Sequence, residues 1–170
     1  MKSETPPAAV SAVSTGPALP AELVSPPPLV PLYPPSRIRL SSSHRGARLA
    51  RLLATQQLDE WGIPRSTSDS AVIAAVVAEL VANAATHGRT PGRDFELRMT
   101  LAAELVRVEV VDTRPDRLPK APGISPRPPA FSTSGRGLLL VAAYADRWGW
   151  AVRDPYTKVV WAEVECRGDL

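Results

Sequence analysis

The chain has 170 residues, a net charge of +3, 44% hydrophobic residues and a single cysteine, Cys166. This suffices for one ordinary domain with a packed core. It excludes a disulfide framework and a cysteine-based zinc site, and the scattered positive residues form no stripe for nucleic acid.

Proline is the outlier, with 19 residues, ten of them within 1–36. That segment is rich in Pro, Ala and Ser and has no hydrophobic period, so it is expected to be a disordered tail. Deleting residues 1–34 is then expected to leave the fold intact. The start of the chain lacks the basic-then-apolar layout of a signal peptide. The longest apolar run, 71–85, is too short to span a bilayer. A cytoplasmic protein with no membrane contact is the expectation. His44 and His87 have no partners at metal-ligand spacing.

The ordered part is expected over 37–165, followed by a short tail, 166–170. R-I-R-L at 37–40 reads as a strand. Ser41–Ser43 offer caps for a helix over 44–60, with Leu49, Leu52, Leu53 and Trp61 as its apolar stripe. Gly62-Ile63-Pro64 stops it. Thr67, Ser68 and Asp69 cap a second helix, about 70–87. Phe95, Leu97, Met99 and Leu101 alternate with polar residues, as do Val106, Val108 and Val110, which predicts two strands joined near Ala102-Ala103. Residues 113–134 hold six prolines and predict a long loop, the length expected of a lid. A helix opens at G-R-G, 135–137, and two strands close the chain around Asp154–Thr157. The order β-α-α-β-β-loop-α-β-β predicts a two-layer α/β sandwich with a mixed, mostly antiparallel sheet and helices on one face.

The second helix carries the chemistry. At 100° per residue, Ile73, Val76, Val77, Leu80 and Ala84 share the arc that faces the sheet. An alanine face without charge lies opposite and predicts a neighbouring helix or a partner. Glu79, Asn83 and His87 line the border of the sheet-facing arc and are expected to look into the crevice between helix and sheet. Nothing else on the helix pairs with Glu79, and an unpaired buried carboxylate is costly.

Two further pieces belong with it. Asp112 ends the second central strand and can accept a hydrogen bond from an exocyclic amine. Gly135 and Gly137 let backbone approach a ligand closely, at a helix start that favours phosphate. Asn83 offers an oxygen suited to Mg²⁺.

E-L-V-A-N-A-A-T-H-G, 79–88, resembles the N-box of the GHKL ATPase superfamily, which includes gyrase, histidine kinases and MutL. V-V-D resembles the start of its G1 box, and G-R-G-L its G2 box. Within the superfamily the chain is most similar to the small anti-sigma-factor serine/threonine kinases of the RsbW and SpoIIAB kind, especially the single-domain actinobacterial ones. The resemblance covers roughly 37–165 and implies the Bergerat (HATPase) fold. It implies a cofactor pair of ATP and Mg²⁺, with Glu79 as general base and Asn83 as the Mg²⁺ ligand. His87, in N-A-x-x-H-G, falls among the nucleotide-binding positions. Asp112 matches the acceptor of the adenine amine, and Gly135, Arg136, Gly137 and Leu138 the phosphate-holding turn. The partners it implies are an antagonist (anti-anti-sigma) protein and a sigma factor, with a homodimer compatible and no direct nucleic-acid contact. Two positions depart from the family pattern: Arg114 stands where the G1 box carries glycine, and Val159 where the last strand carries threonine. The resemblance therefore admits two readings, a protein kinase acting in partner switching and a nucleotide-binding anti-sigma module without phosphotransfer.

Overall fold

The computed structural model describes residues 22–23, 25–119 and 137–167. Ser43 caps the first helix, α1 (His44–Glu60), its hydroxyl accepting from the Gly46 amide at 3.1 Å. The helix stops where Gly62 takes φ +84, and the amide of Ile63 returns to the Leu58 carbonyl at 2.9 Å. That bond pattern is a Schellman closure, which needs a residue tolerant of positive φ. Thr67 caps α2 (Ser68–Thr86) by accepting from Ser70 at 3.2 Å, and Asp69 sits in its first turn, where an acid complements the helix dipole.

The strands follow the alternation of the sequence. β2 (Ser36–Ser41), β3 (Asp94–Ala102), β4 (Leu105–Asp112), β5 (Arg147–Asp154) and β6 (Thr157–Glu165) form an antiparallel sheet. Ala103, at φ +49, makes the tight turn between β3 and β4. The full strand order is β1-β5-β6-β4-β3-β2, with β1 (Glu22–Leu23) parallel to β5. The sheet is thus mixed and mostly antiparallel. α1, α2 and the short α3 (Gly137–Tyr144) lie on one face, which gives the expected α/β sandwich.

Three expectations are corrected. Part of the segment expected to be a disordered tail is held by main-chain hydrogen bonds: Glu22–Leu23 pair with β5, and the Leu32 amide donates to the Leu101 carbonyl at 2.8 Å. Main-chain hydrogen bonds at a sheet edge need no hydrophobic period, so composition does not reveal them. The buried side of α1 is Gly46, Ala50, Ala54 and Leu58, whereas Leu49 and Leu52 are 43% and 60% exposed. Small residues four apart let α1 lie close on α2, and that approach fills the space the leucines were expected to fill. Order also runs past Glu165, because Cys166 is buried in the core and its amide donates to Glu104 at 2.7 Å. Burial pushes its thiol up to about 11, with Asp69 and Glu104 adding to the shift, so it is no nucleophile near neutral pH.

α2 is the core helix. Ile73, Val76, Val77, Leu80 and Ala84 are buried against the sheet, and α1 and α3 flank it. Of its alanine face, Ala74 and Ala85 are buried whereas Ala71 and Ala82 are exposed. By length and composition α2 could cross a membrane, but half of it is buried within this fold.

Candidate functional site

The C-terminal half of α2, the end of β4, the start of β6 and the start of α3 meet at one end of the sheet. Glu79 and Asn83 are half-buried on α2. Gly137, the first residue of α3, is seated directly against them: a Cβ there would collide with the Glu79 carboxylate and lie 3.7 Å from Asn83 Oδ1. A larger residue there would require the Glu79 side chain to move aside. It brings the opening of α3 against the carboxylate and the amide that sequence placed one helical turn apart. Among the described residues Glu79 has no hydrogen-bond or ion-pair partner.

Asp112 is 4% exposed. Its Oδ1 accepts from Lys158 Nζ at 2.6 Å and from the Arg114 amide at 3.0 Å. Lys158, 3% exposed, also donates to the Arg114 carbonyl at 2.7 Å. Burial pushes the Asp112 carboxyl above its ordinary value, and the Lys158 ammonium offsets only part of that. The second oxygen faces Gly88, where a Cβ would clash with the carboxylate. Gly88 follows the C-cap of α2, and the absence of a side chain there lets its backbone approach the Asp112 carboxylate. Thr90 donates to the Thr113 carbonyl at 3.3 Å and ties the segment after α2 to the segment after β4.

The predicted residues divide as follows. Glu79, Asn83, Asp112 and Gly137 lie at the same end of the sandwich. Leu138 packs on the hydrophobic core, so its side chain anchors α3. His87 is exposed and serves as the C-cap of α2, its amide bonded to Asn83 O at 2.8 Å. Positions four apart advance by about 40° on a helix of 100° per residue, so His87 sits further round the helix than Asn83. Gly135 and Arg136 lie outside the described residues, as does most of the expected lid. Sequence reasoning missed Gly88 and Lys158. The glycine after the helix was a usable signal, whereas nothing local marks Lys158, which meets Asp112 only through the β4–β6 register.

The donor set suits a magnesium nucleotide. The buried Asn83 Nδ2 and Thr113 Oγ1 find no hydrogen-bond partner among the described residues, and flipping the Asn83 amide would put its oxygen in place of that nitrogen. No cluster of three or more His, Cys, Asp or Glu suited to a metal occurs among the described residues. A Mg²⁺ ion here would therefore take Asn83 together with phosphate oxygens and water, as this cation commonly does.

The comparisons with known proteins agree with this architecture. Residues 40–163 match the histidine kinase-like ATPase domain. No curated protein matches the chain. Among solved structures, the fold is similar to the RsbU and RsbW domains of Rv1364c from Mycobacterium tuberculosis, with a TM-score of 0.54 and 23% identity. That match covers 78% of this chain, which spans only 32% of the other. With the family match extending over most of the sandwich, the chain belongs to the histidine kinase-like ATPase domain family.

Proposed function

We propose that the chain is an ATP-dependent serine/threonine protein kinase of the anti-sigma-factor type, acting in partner switching by phosphorylating an antagonist protein and releasing or sequestering a sigma factor accordingly. The observation that supports this most is the seating of Gly137 on Glu79 and Asn83, because it joins a base, a metal-ligating amide and a helix start at one point. Bound Mg²⁺ would neutralise phosphate charge. Asn83 would hold the ion, and Asp112 would accept from the adenine amine. The turn 135–137 would offer backbone N–H groups to phosphate. Glu79 would orient the serine hydroxyl and take its proton as that oxygen bonds to the γ-phosphorus and the bond to the bridging oxygen breaks, releasing ADP.

The test pairs calorimetry of ATP binding with radiolabel transfer from γ-labelled ATP to a captured antagonist. Glu79→Gln is expected to keep ATP affinity within a few-fold and to lower transfer by roughly 10²-fold or more. No ATP binding by the wild type at millimolar nucleotide would overturn the reading.

A second reading, a nucleotide-binding anti-sigma module without transfer, is favoured by Lys158. Its ammonium already takes Asp112 Oδ1. Arg114, at the glycine position of the G1 box, is held in a two-bond pair with Asp116 at 2.9 and 2.7 Å. Wild-type protein that binds ATP yet labels no antagonist would favour this module.

A further inference from the structure

The residue of β6 that shares a face with Asp112 is Lys158. The two are direct partners across the β4–β6 ladder, and residues opposite each other in an antiparallel pair point to the same side of the sheet. Val159 stands one position on, opposite Val111, and belongs with Val111, Ala151 and Trp161 to an apolar cluster. Successive strand residues face opposite ways. The departure from threonine at Val159 is therefore on the wrong side of the sheet to meet a base bound at Asp112, and the ammonium of Lys158 is on the right one.

The hydrogen bonds of the pair leave two groups over. Lys158 Nζ donates to Asp112 Oδ1 at 2.6 Å and to the Arg114 carbonyl at 2.7 Å. An ammonium carries three N–H groups, and among the described residues the third finds no acceptor. Asp112 Oδ1 is filled by Lys158 and by the Arg114 amide at 3.0 Å. Oδ2 accepts no hydrogen bond among the described residues. What the pair retains is one acceptor, Oδ2, and one donor, the third N–H of Lys158.

That combination bears on which purine the site takes. A lone carboxylate accepts from the 6-amino group of adenine and rejects guanine, whose 6-oxo group would set one acceptor against another. A donor beside the carboxylate removes that rejection. With guanine, the ammonium meets the 6-oxo oxygen and the carboxylate takes the N1–H. With adenine, the carboxylate takes the 6-amino group and the ammonium a ring nitrogen. Each base then finds both a donor and an acceptor, and neither leaves a buried polar group unpaired.

We propose that Lys158 is a base-reading residue, and that through its pairing with Asp112 the site accepts 6-oxopurine nucleoside triphosphates such as GTP as well as ATP. This rests on the reading that Asp112 faces the base of a bound nucleotide, and it adds a residue and a substrate class to that reading.

The test is calorimetry of the full chain with Mg²⁺ and, in turn, ATP, GTP, inosine triphosphate and 1-methyl-GTP. Inosine triphosphate keeps the 6-oxo group and the N1–H but lacks the 2-amino group, and 1-methyl-GTP has lost the N1–H. ATP, GTP and inosine triphosphate are expected to bind within about threefold of one another, and 1-methyl-GTP at least about tenfold more weakly than GTP. Lys158→Met is expected to bring back a preference for ATP over GTP of about tenfold or more. Should that variant fail to fold, the four nucleotides on the wild type decide the matter. Wild-type protein that binds ATP more than about tenfold tighter than both 6-oxopurine nucleotides would overturn the proposal. So would 1-methyl-GTP bound as tightly as GTP, which would mean that the base edge is not read, or a folded Lys158→Met with an unchanged ratio of ATP to GTP affinity. Binding of no purine nucleotide would overturn the proposal and the function beneath it together, whereas selectivity for ATP would overturn the proposal alone.

Discussion

Asp112 and Lys158 each bury a charge that neither could hold alone. Their side chains are 5% and 4% exposed and 2.6 Å apart. Breaking a buried pair by removing one partner typically costs about 3–5 kcal/mol, because the other charge is left uncompensated. Lys158→Met is therefore expected to destabilise the fold by a few kcal/mol near neutral pH. The sign of the pH dependence follows from the carboxyl. Its value is raised in the fold, so the native state holds the proton more tightly than the unfolded chain does. Stability then falls as pH rises from the ordinary value of 3.8 through the raised one. Losing the ammonium raises that value further. The loss in urea midpoint for Lys158→Met is expected to be larger at pH 8 than at pH 5; equal losses would show that the ammonium does not compensate the carboxylate.

At the scale of the element, α1 inverts a propensity rule. Alanine is about 1 kcal/mol better than glycine in a helix interior, yet a Cβ at Gly46 would run into the Ser41 carbonyl of β2. Main-chain atoms cannot swing aside as a flexible side chain can. Gly46→Ala is thus expected to destabilise by about 1–3 kcal/mol. Leu52→Lys on the same helix, at a site 60% exposed, is expected to stay within about 0.5 kcal/mol. Denaturant titration of both variants checks the pair. A stabilised Gly46→Ala would mean that α1 can shift relative to β2.

Across the whole molecule, the candidate site draws on α2, α3, β4 and β6, so a ligand there binds the assembled sandwich and not the unfolded chain. By linkage, Mg²⁺·ATP at one hundred times its dissociation constant is expected to add about 2.7 kcal/mol and to raise Tm by several degrees. Asn83→Ala is expected to lose the part of that shift that depends on magnesium and to keep the metal-free part. Differential scanning fluorimetry with ATP, with and without the metal, reads both. Equal shifts in wild type and variant would remove Asn83 from the metal site.

The sequence by itself determined the layers and most of the elements. Period-2 runs at 95–101 and 106–110, a 3.6-residue period across 70–87, and caps at Ser43 and Thr67 are local signals, each decided by neighbours a few residues away. The same locality made Glu79 and Asn83 legible, since residues one helical turn apart share a face. Only the tertiary structure decided what depends on distant segments meeting. The pairing of Asp112 with Lys158 spans 46 positions and follows from strand register. The close approach of Gly88 to Asp112 and of Gly137 to Glu79 arises from acids on other elements. The exposure of Leu49 and Leu52, with Ala50, Ala54 and Leu58 of α1 buried instead, likewise depends on how α1 packs on its neighbours.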